Sequence, residues 1–334
     1  MFYVLFAVFI LSNVLTYVLR RYALAHNIID CPNHRSSHVI PTPRGGGVAF
    51  VVSFLITIPV FEYLGLVTLI ESMAFIVLGL GVASLGFLDD HYSISASWRF
   101  LGHVFFCVIA VWWLGGMSSL CFLGFCVSNH LLLASFLVIY LVWLLNLYNF
   151  MDGIDGLAGF EAISVCLSVA CLYGFSGRAY LVFLPLLLAI SVAGFLVWNF
   201  PFARIFMGDA GSGFLGFILG VLSIQGASIQ PVYFWSWIIL LGVFIVDASY
   251  TLISRALAGY RIYEAHRSHA YQRASRRLNG HIKVTFAVVI LNTLWLFPLA
   301  MSVGFHYIDG FIGFMIAYIP LIFLCIYFKA GQSD

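Results

Sequence analysis

Long apolar stretches separated by short polar segments run through the whole chain. A helix that crosses a membrane needs roughly 17–25 predominantly apolar residues. Stretches of that length fall near eleven places, which are 2–19, 45–61, 66–88, 100–115, 131–148, 158–175, 181–197, 212–228, 233–254, 284–303 and 311–328. The pattern therefore predicts an all-α polytopic membrane protein with about eleven transmembrane helices in a single domain, residues 1–334. Arg20 and Arg21 follow the first stretch, which favours a retained helix over a cleaved signal peptide.

The composition supports a membrane protein. Hydrophobic residues make up 63% of the 334 residues and charged residues only 8%, whereas soluble globular proteins carry about 25% charged residues. This excludes a soluble enzyme, a disordered linker and a nucleic-acid binder that works through a basic patch, so no nucleic-acid partner is expected. The seven cysteines form no Cys-x-x-Cys pair. We expect them to act as buried apolar residues rather than in a zinc site or a disulfide framework.

The basic residues predict the orientation of the chain. Lys and Arg concentrate in the cytoplasmic loops of membrane proteins. Of the 15 Lys and Arg residues, only Arg178 falls on the side opposite to all the others. The N-terminus is therefore predicted to lie outside and the C-terminus in the cytoplasm. The loops on the outer side are short, so the chemistry is expected in the cytoplasmic loops.

Six acidic residues mark the cytoplasmic ends of separate predicted helices, namely Asp89, Asp90, Asp152, Asp155, Asp209 and Asp247. Ionisable groups at membrane depth are costly and usually functional. Carboxylates that gather at one water boundary suit a hard cation such as Mg²⁺, which shares its oxygen ligands with phosphate. An ion-coupled transporter is the alternative from another class, and it would place such acids near the midplane, reachable from both faces.

Three of these clusters have a local pattern. In the segment from Asn146 to Gly156, polar residues recur every three positions (Asn146, Asn149, Asp152 and Asp155), and glycines 153 and 156 would leave room for a ligand. Asp209 lies in a glycine-rich turn before an apolar helix, where backbone N–H groups suit an anion. Asp89 and Asp90 are adjacent, so we expect one to act and the other to orient it.

Two loops combine histidine and arginine. The last cytoplasmic loop contains His266-Arg267-Ser268-His269, and the first contains Arg35-Ser36-Ser37-His38 and then Arg44. Arg binds phosphate with two parallel hydrogen bonds, so these loops are predicted to bind phosphate. For the isolated histidines, surface or core packing is expected; they are His26, His91, His103, His130, His281 and His306.

In this order the motifs resemble the polyprenyl-phosphate N-acetylhexosamine-1-phosphate transferases of glycosyltransferase family 4, which are integral membrane enzymes. The resemblance rests on Pro32–His38, Gly86–Asp90, Asn146–Leu157, Met207–Ser212, Asp247 with Arg255 and Gly259, and the histidine loop. The Arg-Ser-Ser-His segment and the run from Ala265 to Gln272 are similar to enzymes that initiate O-antigen and related surface glycans. The chain departs from the family pattern at two places. Ser93 stands where the family often has a third aspartate, three positions after the aspartate pair, and Arg267-Ser268 separates two histidines that are often closely spaced or consecutive in the family.

The resemblance implies a reaction in the bacterial inner membrane. Undecaprenyl phosphate would attack the β-phosphorus of a UDP-N-acetylhexosamine and release UMP, which starts a lipid-linked glycan of the O-antigen or lipopolysaccharide type. The sugar is left open between N-acetylglucosamine, N-acetylgalactosamine and N-acetylfucosamine. A peptidoglycan-type enzyme, a covalent two-step mechanism and a homo-oligomer also stay open.

The resemblance also implies roles for individual residues. Asp209 would be the main ligand of Mg²⁺, or of Mn²⁺ in its place, with help from Asn149 and Asp152. Asp89, supported by Asp90, would be the base or orienting carboxylate at the lipid phosphate, and Asp155 would hold the nucleotide sugar. Further substrate contacts are expected from Asn146, Arg44, Arg99, His266, Arg267 and His269.

Overall fold

The computed structural model describes residues 1–32, 40–92, 94–260 and 266–332. The Arg35-Ser36-Ser37-His38 segment, Ser93 and Ala265 therefore lie outside the described residues. The described chain is built almost entirely of helices: α1 (Phe2–Ala25), α2 (Gly47–Tyr63), α3 (Leu69–Tyr92), α4 (Ala96–Leu114), α5 (His130–Met151), α6 (Leu157–Phe175), α7 (Phe183–Asn199), α8 (Asp209–Ile229), α9 (Val232–Leu240), α10 (Gly242–Leu257), α11 (Ala270–Arg277), α12 (His281–Leu291), α13 (Phe297–Gly304) and α14 (Gly310–Tyr327).

Short irregular elements join some of these helices. A 3₁₀ turn at Ala179–Val182 precedes α7, and a π-helical turn at Asn292–Leu296 continues α12 into α13. Two antiparallel hairpins contain β1 (Ile29–Asp30) with β2 (Thr42–Pro43), and β3 (Leu120–Phe122) with β4 (Phe125–Val127). Ile29 pairs with Pro43 in the first hairpin, and Cys121 pairs with Cys126 in the second.

The predicted all-α membrane fold is confirmed. Within the described ranges, nine helices or continuous helix runs are long and apolar enough to cross a membrane, and the count is ten if α9 and α10, bent by 71°, form one broken span. The remaining predicted span falls on α2, which is apolar but has 17 residues. Every predicted apolar stretch therefore lies on a helix, while the number that crosses the bilayer stays a prediction.

Helix α8 forms the centre of the bundle. In its apolar stretch 83% of residues are buried within the molecule, against 61% or fewer in the other long spans. Glycines allow its neighbours to approach closely, since a Cβ at Gly216 would lie 2.6 Å from the Leu144 carbonyl oxygen of α5. Gly216 and Gly220 therefore both pack α8 against α5. It also fixes Asp209, the first residue of α8, at the centre of one end of the bundle.

The expectation that no cysteine forms a disulfide is wrong. Cys121 and Cys126 form a disulfide across the β3–β4 hairpin, which joins the end of α4 to the start of α5. The hairpin is attached to neighbouring elements, because Trp235 Nε1 donates to the Cys121 carbonyl oxygen at 2.8 Å. Cys107, Cys166 and Cys325 are buried as expected, whereas Cys31 and Cys171 are exposed. The pairing escaped the sequence because it depends on the turn that brings the two strands together.

Candidate active site

A polar cavity of about 240 Å³ lies at the end of the bundle where α3, α5 and α7 end and α8 and α12 begin. We call it the aspartate pocket. Among the described residues that line it, the charged and polar ones are Asp30, Arg44, Asp90, Asn149, Asp152, Asp155, Asn199, Asp209, Gln272 and His281. The described lining therefore contributes five carboxylates and a single arginine to this cavity.

Asp209 enters the pocket from the first turn of α8. Its Oδ2 lies 3.3 Å from Nη1 of Arg99, and the same guanidinium nitrogen pairs with the Asp89 carboxylate. The backbone of α3 lies directly against this turn, because a Cβ at Gly86 would be 2.5 Å from the Asp209 carbonyl oxygen. The absence of a side chain at position 86 therefore lets α3 bring its two aspartates beside Asp209. Asp89 and Arg99 lie next to the pocket rather than among its described lining residues.

Asp90, by contrast, lines the pocket. Its Oδ2 accepts a hydrogen bond from the Ala210 backbone N–H at 3.3 Å, so its carboxylate occupies the N-terminus of α8. Arg44 donates to the Asp90 carbonyl oxygen, and its guanidinium lies 3.9 Å from Asp90 Oδ1. The anion at this helix N-terminus is therefore the protein's own aspartate. The two adjacent aspartates therefore differ in position, with Asp90 in the cavity and Asp89 beside it, whereas the resemblance implies Asp89 at the lipid phosphate with Asp90 in support.

The segment after α5 supplies the opposite wall. Asn149, Asp152 and Asp155 line the pocket, and Asn149 Oδ1 accepts from the Ser212 hydroxyl of α8 at 3.1 Å. Burial, followed by the negative charges of Asp209, Asp90 and Asp155, raises the pKa of Asp152 well above its ordinary value of 3.8. The pocket therefore concentrates negative charge that favours either a proton or a cation at Asp152.

Asn146 and the two glycines of this segment differ from expectation. Asn146 lies a turn further into the bundle, where its Nδ2 donates to the Val142 carbonyl oxygen at 2.7 Å. A Cβ at Gly153 would lie 2.1 Å from the Tyr271 hydroxyl, and one at Gly156 would lie 2.6 Å from the Phe200 ring. Aromatic side chains of the protein therefore occupy the space where a Cβ would lie at each glycine, while Gly153 also lines the aspartate pocket.

The donor set of the pocket fits a divalent cation. Asp209, Asn149 and Asp152 present carboxylate and amide oxygens to one cavity, which are the ligands that Mg²⁺ prefers. In the described ranges no three Asp, Glu, His or Cys side chains converge tightly enough to hold an ion alone. A protein site for Mg²⁺ commonly uses only one or two carboxylates, together with water and substrate phosphates.

Asp247 forms a separate cluster away from the pocket. Its two carboxylate oxygens accept the backbone N–H groups of Ala270 at 2.9 Å and Tyr271 at 2.8 Å. The Thr251 hydroxyl and the His269 Nδ1 each lie 3.2 Å from its Oδ1. The carboxylate thus caps the N-terminus of α11 and attaches that helix to α10. Helix α11 in turn brings Gln272 into the aspartate pocket.

The histidine loop lies beside this cluster. The rings of His266 and His269 are 4.9 Å apart, and His269 is buried. Burial, then the charges of His269 and Arg255, lower the pKa of His266 from its ordinary 6.5 to about 4. His266 is therefore neutral at physiological pH. The described lining of the aspartate pocket does not contain His266, Arg267 or His269, so these predicted phosphate contacts lie outside that pocket.

Sequence reasoning missed four residues of the pocket: Asp30, Asn199, Gln272 and His281. The interpretation of His281 as surface or core packing is wrong, because its Nδ1 lies 3.2 Å from Asp155 Oδ2. Asn199 is buried, accepts from the Gly156 N–H at 2.9 Å and donates to the Ile205 carbonyl oxygen. Both residues sit at the end of an apolar stretch, and applying the argument used for the aspartates to every polar residue there would have found them.

Comparison with known proteins places this geometry in context. Residues 72–227 match the family model described as glycosyl transferase family 4. The chain is similar to a probable undecaprenyl-phosphate N-acetylglucosaminyl 1-phosphate transferase of Bacillus subtilis (strain 168), with 31% identity over 78% of this chain and 73% of the relative. It is also similar to a decaprenyl-phosphate N-acetylglucosaminephosphotransferase of Mycobacterium tuberculosis (strain CDC 1551 / Oshkosh), with 26% identity over 82% and 76%.

A further relative carries a different substrate in its name. It is a phospho-N-acetylmuramoyl-pentapeptide-transferase of Staphylococcus saprophyticus, 28% identical over 65% of this chain and 72% of the relative. The matched stretch of the family model contains Asp89, Asp90, Asp152, Asp155 and Asp209. Most carboxylates of the aspartate pocket therefore lie within the part of the chain that carries the family likeness.

Proposed function

The chain belongs to the polyprenyl-phosphate N-acetylhexosamine-1-phosphate transferase family, and from this premise we propose that it transfers an N-acetylhexosamine 1-phosphate from a UDP-sugar to undecaprenyl phosphate. The observation that carries the proposal is the aspartate pocket, in which separate helix ends converge on one cavity. Its position at the end of a bundle of membrane-length helices allows a lipid phosphate and a soluble nucleotide sugar to meet there. Carboxylates gathered at one end of the bundle favour this function over a transport pathway.

The proposed reaction exchanges one phosphoryl linkage for another. An oxygen of the lipid phosphate attacks the β-phosphorus of the UDP-sugar and forms the new diphosphate bond. The bond between the β-phosphorus and the oxygen that bridges to the α-phosphorus breaks, and UMP leaves with that oxygen. Such a transfer depends mainly on positioning and on neutralising phosphate charge.

The residues of the pocket suit these tasks. Asp209, with Asn149 and Asp152, would hold Mg²⁺, which would supply charge neutralisation at the diphosphate. Asp90 lines the cavity and Asp89 is paired with Arg99, so we assign Asp90 the position nearest the acceptor and Asp89 the role of fixing Arg99. A phosphate monoester has a second pKa of about 6, so the acceptor is already ionised at neutral pH. Arg44 and Gln272 are placed to orient phosphate or sugar groups.

The site is proposed to face the cytoplasm of a bacterial inner membrane. The distribution of Lys and Arg supports this orientation, with Arg178 alone on the other side. The Cys121–Cys126 disulfide supports it independently, because the hairpin joins the ends of α4 and α5 that are remote from the pocket. Disulfides form in oxidising compartments such as the bacterial periplasm, which supports a pocket on the opposite, reducing side.

The donor is proposed to be UDP-N-acetylglucosamine or a close relative. The relatives in Bacillus and Mycobacterium are named for N-acetylglucosamine, and the histidine loop resembles enzymes that start O-antigen or lipopolysaccharide glycans. A peptidoglycan-type donor is the competing candidate, because a pentapeptide transferase is also a relative.

The test uses purified full-length protein, undecaprenyl phosphate and a panel of UDP-N-acetylhexosamines, with UMP release as the measurement. We expect release that requires both the lipid and Mg²⁺ and stops with chelator. Absence of release with every donor, from folded protein, would contradict the proposal. Exchange of labelled UMP into UDP-sugar without lipid would show a covalent two-step mechanism instead of direct attack.

A further inference from the structure

A second charged cavity, of about 560 Å³, lies between α11 and the C-terminal end of α14. We call it the basic cavity. Its lining consists of four cationic and two aromatic side chains: Arg273, Arg276, Arg277, Tyr327, Phe328 and Lys329. No acidic side chain is among these described residues, and none of them lines the aspartate pocket. The two cavities are therefore chemically opposite and share no side chain.

Helix α11 separates the two cavities. Gln272 belongs to the aspartate pocket, whereas Arg273, Arg276 and Arg277 belong to the basic cavity. Positions three and four apart lie on one face of a helix, which explains why these arginines point the same way. Helix α11 therefore contributes side chains to both cavities.

The guanidinium groups are held in place. Arg277 lies 4.7 Å from the ring centroid of Tyr327, Arg273 donates to the Gln332 carbonyl oxygen at 2.6 Å, and Arg276 donates to the Arg267 carbonyl oxygen at 3.0 Å. These contacts order three like charges around one cavity. Arg side chains fixed in this way bind phosphate oxygens with little further loss of freedom.

The cavity lies at the C-terminal end of a helix that is long and apolar enough to cross a membrane. Helix α14 has the length and composition of a membrane span, and its last turns expose Phe323 (64%), Ile326 (50%) and Tyr327 (59%). Aromatic residues mark the level of lipid headgroups, and basic side chains just beyond a span attract anionic lipids. A ligand suited to this cavity therefore carries a negatively charged phosphate at the level of the lipid headgroups and lies beside the apolar face of α14.

From these observations we propose that the basic cavity binds the phosphodiester headgroup of an anionic phospholipid of the surrounding leaflet. A bound headgroup would hold α11 against the membrane surface, and with it Gln272 at the edge of the aspartate pocket. This inference goes beyond the proposed transfer reaction and does not require it, because lipid binding can be measured without turnover.

The test is native mass spectrometry of the purified full-length protein with phosphatidylglycerol or phosphatidylcholine. We expect one phosphatidylglycerol retained well above phosphatidylcholine. A cation near an anionic lipid surface contributes about a fivefold change in affinity, so Arg277→Gln with Lys329→Gln should weaken retention by roughly 25-fold. The matched control is Arg20→Gln with Arg21→Gln at the end of α1, where Arg21 also lies over a tyrosine, 6.0 Å from the Tyr17 ring. This control should keep wild-type retention.

Further variants distinguish specific binding of the headgroup from nonspecific attraction of anionic lipid to positive charge. Arg277→Lys keeps the charge but loses the planar fork, so it should weaken retention, whereas wild-type retention would contradict a headgroup site. Equal loss in the α1 control would also overturn the proposal.

Undecaprenyl phosphate or inorganic phosphate added in competition should not displace phosphatidylglycerol at equal concentration. Preferential displacement by either would assign the cavity to that ligand. Unchanged thermal unfolding of each variant shows that loss of binding is not loss of fold.

Discussion

The aspartate pocket and the Asp247 cluster are both built from carboxylates at the same end of the bundle, yet their environments are opposite. Asp247 is surrounded by donors: two backbone N–H groups, a hydroxyl and an imidazole within 3.2 Å. Asp152 is buried beside other carboxylates, and burial first and then their negative charges raise its pKa. The donors satisfy the first carboxylate within the protein, whereas the second remains a site for a proton or a cation.

The comparison shows how to separate structural from functional acids near a membrane. A buried carboxylate that accepts several hydrogen bonds from its own chain stabilises the fold. A carboxylate held beside other carboxylates in a cavity opposes folding by its repulsion and needs an external partner. Position along the chain does not distinguish the two cases, since both kinds lie on or next to apolar helices near the same end of the bundle. The following predictions test this distinction.

The largest effect is expected from Asp209→Asn. Removing this charge from the centre of the pocket should abolish UMP release, a loss of at least about 100-fold, which is the scale for a preorganised group at a reacting phosphate. We also expect Mg²⁺ to raise the unfolding temperature of the wild-type protein but not that of this variant. The matched control is Asp309→Asn, which changes an aspartate at the start of α14 that caps its helix by accepting from the Phe311 N–H at 2.9 Å. Near-wild-type turnover of the Asp209 variant would remove the metal assignment.

Asp247→Asn should act on stability rather than on the chemical step. An amide keeps one acceptor oxygen and turns an NH₂ group toward the backbone N–H groups of α11, leaving a buried donor unpaired. Such a loss costs about 1–3 kcal/mol in the free energy of unfolding. We expect a lower unfolding temperature with a smaller loss of turnover per folded molecule. Complete loss of turnover in a variant as stable as the wild type would show that Asp247 belongs with the pocket.

His281→Gln should give an intermediate effect on substrate binding. The imidazole lies 3.2 Å from the Asp155 carboxylate, while the Thr285 hydroxyl separately holds the Asp155 carbonyl oxygen at 3.0 Å. Because one of these two contacts remains, we expect the KM for the nucleotide sugar to rise by about tenfold with a smaller change in kcat. Thr285→Val is the companion variant, since it removes the other contact. A fall in kcat alone would place His281 in the chemical step.

The smallest effect is expected from His266→Gln, and it should appear only on acidification. Burial and nearby positive charge lower the pKa of His266 from 6.5 to about 4, so the folded protein favours the neutral ring. That stabilisation is complete above pH 6.5 and is lost as the pH falls toward 4. The difference in unfolding temperature between variant and wild type should therefore shift in favour of the variant between about pH 7.5 and about pH 5. A difference that does not change with pH would contradict the assigned pKa.

Much of the fold follows from the sequence because the decisive signal is local. Apolar stretches of membrane length located every span, and acids at their ends located Asp90, Asp152, Asp155 and Asp209 in one pocket. His281 and Asn199 also lie at the ends of apolar stretches, but they were missed because the argument from the cost of a charge at membrane depth singles out only the acidic residues. The role of Asp247 could not be read from the chain, because it depends on where α11 begins in space. The buried Glu161, which accepts from Asn292 Nδ2 at 2.6 Å, escaped for the same reason.

The disulfide in the β3–β4 hairpin has a consequence for how the protein is made. Cys121 and Cys126 can be oxidised only after their hairpin has reached an oxidising compartment. The bond is therefore expected only in molecules in which the turn between α4 and α5 lies on the oxidising side of the membrane. A molecule inserted upside down would keep both thiols free. The ratio of bonded to free hairpin cysteines thus reports the fidelity of insertion for each batch of protein, without any activity assay.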